Sequence, residues 1–202
     1  MPRRVWRCAP LFLIPLLGGC GSSAGQAHPS PQSRFAGAEI VHPAAAPPLD
    51  LANYDGTPVN LEQFRGKAVL VTFVYTKCPN VCPLIISNLG TAQKRLGAAA
   101  ADLQIIAVTT DPAGDTPAAI AAFLSARNMT GRMLYLLGSA PAAKVVWTAW
   151  HVEATPDAQD ASLINHTAAV FGVGASGKLT TVYASNFKPS DIVHDVPLLA
   201  QE

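Results

Sequence analysis

The residues of this chain best suited to chemistry are two thiols at close spacing, in the run Cys78-Pro79-Asn80-Val81-Cys82. The other two of the four cysteines, Cys8 and Cys20, lie near the N-terminus, so this pair has to be explained together. In a helical turn, residues four apart share one face with Cβ atoms about 6 Å apart, and both sulfurs can reach one ion. The same spacing can close into a disulfide after modest adjustment. Three chemistries stay open. A structural disulfide suits an oxidising compartment, although so short a loop constrains few unfolded conformations and contributes little by closure. A redox couple is the second, because a helix N-terminus stabilises a thiolate. The third is a soft-metal site, in which two thiolates favour Cu(I) and an imidazole completes the set.

That imidazole has to come from His151, His166 or His194, since no histidine pair stands at the local spacing of a zinc site. His194 sits among polar residues of the last helical segment and reads as solvated. His151 follows Trp147 and Trp150 at a helix end, where a cation favours the local dipole. His166 lies just ahead of the apolar run 168–173, flanked by Asn165 and Thr167. In a parallel sheet that strand mouth can approach the cysteine loop.

The elements that would position these residues alternate between extended and helical patterns. Residues 49–61 carry Asp55-Gly56 between short arms, a hairpin signal resting on glycine's tolerance of positive φ. The run AVLVTFVY over 68–75 is apolar on both faces and predicts a central buried strand leading into the cysteines. After them, Leu84, Ile85, Leu89, Ala92 and Leu96 fall on one helical face, with Lys94 and Arg95 outward. A second buried strand is expected over 103–108. Thr116-Pro117 opens a helix to about 127 as N-cap and first-turn proline. A weaker strand near 133–137, a helix over 141–150, a hairpin of 168–173 with 179–184, and a helix from Asp191 complete the order. A βαβ core followed by a hairpin and a terminal helix is the order of a thioredoxin-like fold. The fold class is therefore α/β, a central mixed sheet flanked by helices with an added N-terminal hairpin.

The chain has 202 residues, half of them apolar and 13% charged, with 14 Lys and Arg against 13 Asp and Glu. One sizeable core can be buried. The absence of a basic block argues against nucleic acid as a partner. Arg3, Arg4 and Arg7 precede a short apolar stretch that ends in Leu17-Gly18-Gly19-Cys20. This reads as a signal peptide over 1–19 with a lipobox, Cys20 becoming the lipidated first residue of a bacterial lipoprotein on the extracytoplasmic, periplasmic side of a membrane. Residues 20–48, rich in Gly, Ser, Ala and Pro, read as a tether about 30 Å in mean span. His28 and His42 fall in it as solvated linker residues. The folded domain is then expected over 49–202.

Three segments carry a resemblance: Val71-Thr72-Phe73-Val74-Tyr75-Thr76-Lys77-Cys78-Pro79-Asn80-Val81-Cys82-Pro83, the stretch from Thr110-Asp111-Pro112 to Asp115-Thr116-Pro117, and Asn165-His166-Thr167. In order and spacing they resemble the Sco/SenC family of copper-handling proteins, which have a thioredoxin-like fold and are implicated in assembling the dinuclear copper centre of cytochrome c oxidase. The resemblance implies a membrane-tethered chaperone holding copper, as Cu(I) and also as Cu(II), through Cys78, Cys82 and His166, with a Cys78–Cys82 disulfide in the oxidised form. It implies as partners a copper-receiving subunit of cytochrome c oxidase or another copper chaperone, and a thiol reductase. Asp111 and Asp115 match the family's acidic loop, but a turn and a helix start explain them equally well. The residue before the histidine is often Asp in the family and is Asn165 here. An enzymatic alternative uses Cys78 and Cys82 as the redox-active pair of a thiol-disulfide oxidoreductase acting on a copper-receiving protein.

Overall fold

The structure, a computed structural model, describes residues 33–160 and 162–202. The signal sequence, Cys8, Cys20 and His28 lie outside them. The central strand forms as its composition dictates. In β4 (Ala68–Val74) every residue is buried, and β-branched side chains fill a surface covered on both sides. Its alternation divides the interior into two layers. Ala68, Leu70 and Val74 face the helices α1 (Val81–Leu96), α2 (Pro117–Ser125) and α4 (Pro189–Leu199). Val69, Val71 and Phe73 face α3 (Ala140–Ala149), where Phe73 packs tilted against Trp150 and edge-on to Phe171.

The remaining strands are β1 (Ala38–Glu39), β2 (Leu51–Asn53), β3 (Pro58–Val59), β5 (Leu103–Thr109), β6 (Leu134–Leu137), β7 (Ala154–Pro156), β8 (Ile164–His166), β9 (Ala169–Val173) and β10 (Leu179–Ala184). Among the described residues they form an eight-stranded sheet in the order β1-β10-β9-β4-β5-β6-β2-β3 and a separate two-stranded ribbon of β7 and β8. β4 pairs parallel with β5 and β5 with β6, while β9 runs antiparallel to β4. The sheet is mixed and flanked by helices, as expected. Local signals placed its elements well. Thr116 caps α2 by accepting the Ala119 N–H at 3.2 Å, with Pro117 in the first turn. Gly56 takes φ +90° in the β2–β3 turn, where an L side chain would be strained.

Three features differ from the sequence reading. Leu84 is 51% exposed, and Ile86 takes a place on the buried face of α1 instead. The ribbon of β7 and β8 was not anticipated, because a three-residue strand ending in Pro156 gives almost no periodic signal. The third concerns the segment read as a tether to Pro48, which lies along the domain from Ser33 onward. Phe35 is buried in the core, β1 pairs with β10, and Ala45 bridges Lys178. The fully buried Asp195 carboxylate accepts the Ala36 and Gly37 N–H groups at 2.9 Å each and the Tyr183 hydroxyl at 2.8 Å. Composition hid this because the contacts come from backbone amides and one aromatic residue. His42 is exposed, as expected.

A chain beginning at Leu49 would lose the Phe35 contacts and leave Asp195 without its two backbone donors. Against a chain beginning at Ser33, it should be less stable by about 2–4 kcal/mol in urea unfolding. Equal midpoints and slopes for the two chains would contradict this packing.

Candidate metal centre

Cys78 lies in the loop that leaves β4, ahead of the first turn of α1. Asn80 occupies the N-cap position but makes no side-chain cap, so the first amides of α1 need other acceptors. The Cys78 Sγ supplies one, accepting the Cys82 N–H at 3.3 Å. Pro83, in the same turn, has no N–H to satisfy. Cys82 then points inward on the buried face of α1. Its exposure is 0%, against 7% for Cys78, and both are free thiols.

A buried carboxylate holds this loop. Asp115, only 2% exposed, accepts the N–H and hydroxyl of Thr76 at 2.8 and 2.7 Å, the Thr109 hydroxyl at 2.7 Å and the Tyr135 hydroxyl at 2.7 Å. It thereby joins the loop after β4 to the end of β5, to β6 and to the start of α2. Asp111 forms the preceding turn and accepts the Gly114 N–H at 2.9 Å. A Cβ at Gly114 would run into the Asp111 carboxylate and force that side chain to move. The sequence reading of Asp111 as a turn residue matches this geometry. Asp115 does more than start a helix.

His166 ends β8, and its approach differs from the expected one. Antiparallel pairing of β9 with β4 sets Val170 opposite Thr72 and Val173 opposite Val69, so the start of β9 lies beside the C-terminal end of β4. A parallel β9 would have placed it at the far end. The half-buried imidazole brings Nε2 to 3.5 Å from the Cys82 Sγ. Its Nδ1 lies 3.1 Å from the Thr167 carbonyl oxygen, which can only accept. With Nδ1 protonated toward that oxygen, the ring can offer Nε2 to an ion held at the thiols. Ligand atoms of Cys78, Cys82 and His166 all lie within 4.8 Å of one another, the only such group of three among the described residues.

His151 and His194 do not join this group. His151 is exposed just after α3 at φ +53°, and the imidazole of His194 bonds Asp195 through Nδ1 at 2.6 Å. Asn165 does not orient the imidazole either. Strand alternation turns it to the opposite face of β8, where its amide donates to Asp157 at 2.8 Å. Tyr75 is the residue that motif reading passed over. Its ring meets the His166 imidazole edge to face, with centroids 5.8 Å apart, and its hydroxyl accepts the Ile164 N–H at 3.2 Å. Burial keeps that hydroxyl above the usual phenol range, and thus protonated.

The two thiols are electrostatically unequal. Cys78 is pulled down to about 4, first by a hydrogen bond from Cys82, against the opposing effect of burial, and then by His166 and the backbone N–H groups of Cys82 and Asn80. Cys82 is pushed up by its bond to Cys78 and by deeper burial. The two shifts point opposite ways, Cys78 toward the thiolate and Cys82 toward the thiol. The arrangement can bind a soft cation through two sulfurs and one nitrogen, and can undergo thiol exchange through Cys78.

A family model described as SCO1/SenC matches residues 38–201. The chain belongs to the SCO1/SenC family. Relatives include a SCO1 protein homolog of Bacillus subtilis, 27% identical over 155 residues that cover 74% of this chain and 79% of that one. The chain spans about half the length of some longer curated relatives. Among solved structures, apo Sco1 from Thermus thermophilus superposes with a TM-score of 0.71 at 29% identity, covering 84% of this chain and 99% of that one. Bradyrhizobium japonicum ScoI with copper bound gives a TM-score of 0.67 at 26% identity, covering 77% and 99%. The fold is thioredoxin-like, as in these family structures.

Replacing Asp115 by Ala would remove the acceptor of the buried Thr109 and Tyr135 hydroxyls and of the half-buried Thr76 hydroxyl and amide, and should cost about 3 kcal/mol in urea unfolding. Thiol labelling reads the inequality of the sulfurs. With its proton already lost, Cys78 should be alkylated first, at a rate nearly flat between about pH 6 and 8, where an ordinary cysteine gains about tenfold per unit. Peptide mapping that finds Cys82 labelled first, or a rate that climbs steeply across this range, would contradict the assignment.

Proposed function

We propose that this chain is a copper chaperone that carries Cu(I) on Cys78, Cys82 and His166 and delivers it to the dinuclear copper centre of cytochrome c oxidase. The observation that carries this reading is the convergence of two thiols and an imidazole nitrogen at the mouth of the β4–α1 loop. Two thiolates and an imidazole suit Cu(I) better than a hard cation, and the half-exposed histidine leaves a side open for exchange with a recipient. The copper-bound relative described above supports the choice of ion. Because Cys82 holds a proton in the metal-free pair, loading near neutral pH should release about one proton per ion, and affinity should rise with pH. Oxidation to a disulfide would remove both anionic ligands, so copper loading and thiol state form one coupled equilibrium.

The Leu17-Gly18-Gly19-Cys20 motif supports a lipid anchor on Cys20 and an extracytoplasmic, periplasmic location. No described helix is long and apolar enough to cross a membrane. A second reading, a thiol-disulfide oxidoreductase acting on a copper-receiving protein, is favoured by the low value of Cys78 beside a protonated Cys82.

Anaerobic Cu(I) titration of the reduced protein separates the two. Chaperone function predicts one-to-one binding that weakens at least tenfold in Cys78→Ser and Cys82→Ser and measurably in His166→Ala, followed by transfer to the apo dinuclear-copper domain. Weak binding that ignores His166, with disulfide exchange intact in His166→Ala, would install the oxidoreductase instead.

A further inference from the structure

His166 is carried by a ribbon that stands apart from the main sheet, so something outside the ribbon must fix where its imidazole points. The hydrogen-bond alternation of the ribbon shows where that fixing occurs. Asp157 N–H bonds Leu163 O at 2.8 Å and Thr167 N–H bonds Glu153 O at 3.0 Å. Pairs two residues apart share a bonding state, which makes Ala154–His166 and Pro156–Ile164 the non-hydrogen-bonded pairs between them. Pro156 thus sits where no N–H is asked of it, and the Ile164 N–H points away from its partner strand. Its acceptor is the Tyr75 hydroxyl, at 3.2 Å.

Tyr75 therefore touches β8 twice. The hydroxyl takes the Ile164 amide, and the ring meets the imidazole two residues along at 85°. Tyr75 itself is 2% exposed and follows β4 directly, three residues before Cys78. One side chain, rooted beside the thiols, grips the strand that carries the third ligand.

We propose that Tyr75 is a positioning residue, whose hydroxyl and ring set where the His166 imidazole stands over the two thiols and so tune the preference of the site between Cu(II) and Cu(I). The inference rests on the copper reading above. Cu(I) is well served by two thiolates alone, whereas Cu(II) draws more of its binding from an imidazole nitrogen, so a displaced ring costs Cu(II) more. Phenylalanine would keep the ring and lose the hydroxyl, and with it both the Ile164 contact and the hydroxyl's influence on Cys78; only the first acts through His166, so the His166→Ala background separates them.

The test uses the full-length reduced protein with Tyr75→Phe, His166→Ala and the double variant. In the metal-free state, amide exchange at Ile164 should accelerate about threefold to tenfold in Tyr75→Phe, the range of one lost hydrogen bond, while β4 and β5 amides stay unchanged. The His166 ring-proton shifts should move. Cu(II) affinity should fall about threefold to tenfold, with a displaced sulfur-to-copper charge-transfer band, and Cu(I) affinity should change less than about twofold. In the His166→Ala background the Tyr75→Phe effect should vanish. An equal loss of Cu(II) affinity with and without His166 would overturn the proposal, as would unchanged Ile164 exchange. If the unaltered protein binds neither copper ion, the copper reading falls, and with it the tuning of ion preference. The positioning role is then upheld by faster Ile164 exchange with shifted His166 ring protons and overturned by unchanged values.

Discussion

The Asp115 carboxylate is the fixed point on which the thiol loop depends. A carboxylate excluded from water must have its oxygens occupied, and here hydroxyls from the ends of β5 and β6 and both donors of Thr76 do so. Because the donors come from separate elements, satisfying the carboxylate also fixes those elements relative to one another. The loop after β4 then has little freedom, and the first turn of α1 starts where the Cys78 sulfur can accept an amide. That sulfur acts as a helix cap at the position where the proposed ion would be bound.

His166 is held by different physics. Cys78 and Cys82 belong to the core cluster packed between α1 and the sheet. His166 is 84 residues farther along the chain from Cys82, on a ribbon that contributes no strand to the main sheet. The two thiols are thus rigid with the body, and the imidazole is referred to them through few contacts, chiefly those of Tyr75 and the ladder bond from Thr167 to Glu153. Such an arrangement suits the proposed holding and surrender of an ion, since a weakly anchored imidazole can move without disturbing the fold.

What the sequence revealed follows from which constraints are local. The all-apolar runs of β4 and β5, the Thr116-Pro117 start of α2 and the Asp55-Gly56 turn each carry their cause within a few residues, and all appear where the pattern places them. The cysteine spacing revealed a pair but left three chemistries open, and His166 gained weight only through resemblance to a family. The hidden features are long-range. Asp195 lies on the buried face of α4 with Ile192, Val196 and Leu199, a detectable anomaly, yet its backbone partners stand 158 and 159 residues away. Asn165 looked significant because it adjoins the ligand in sequence, whereas a strand sends neighbours to opposite faces.

The segment beginning at Ser33 also changes what the molecule presents to other molecules. β10 would otherwise be the outer strand of the sheet, six residues long, with a row of unpaired amides and carbonyls. β1 covers part of that row with only two residues, and at the opposite margin β3 is equally short. Both margins therefore end in strands too brief to template another sheet, the means by which natural proteins suppress edge-to-edge association. The N-terminal segment that Ala36 and Gly37 fasten to Asp195 thus also acts in colloidal terms, keeping the β10 margin of one copy from pairing with that of the next.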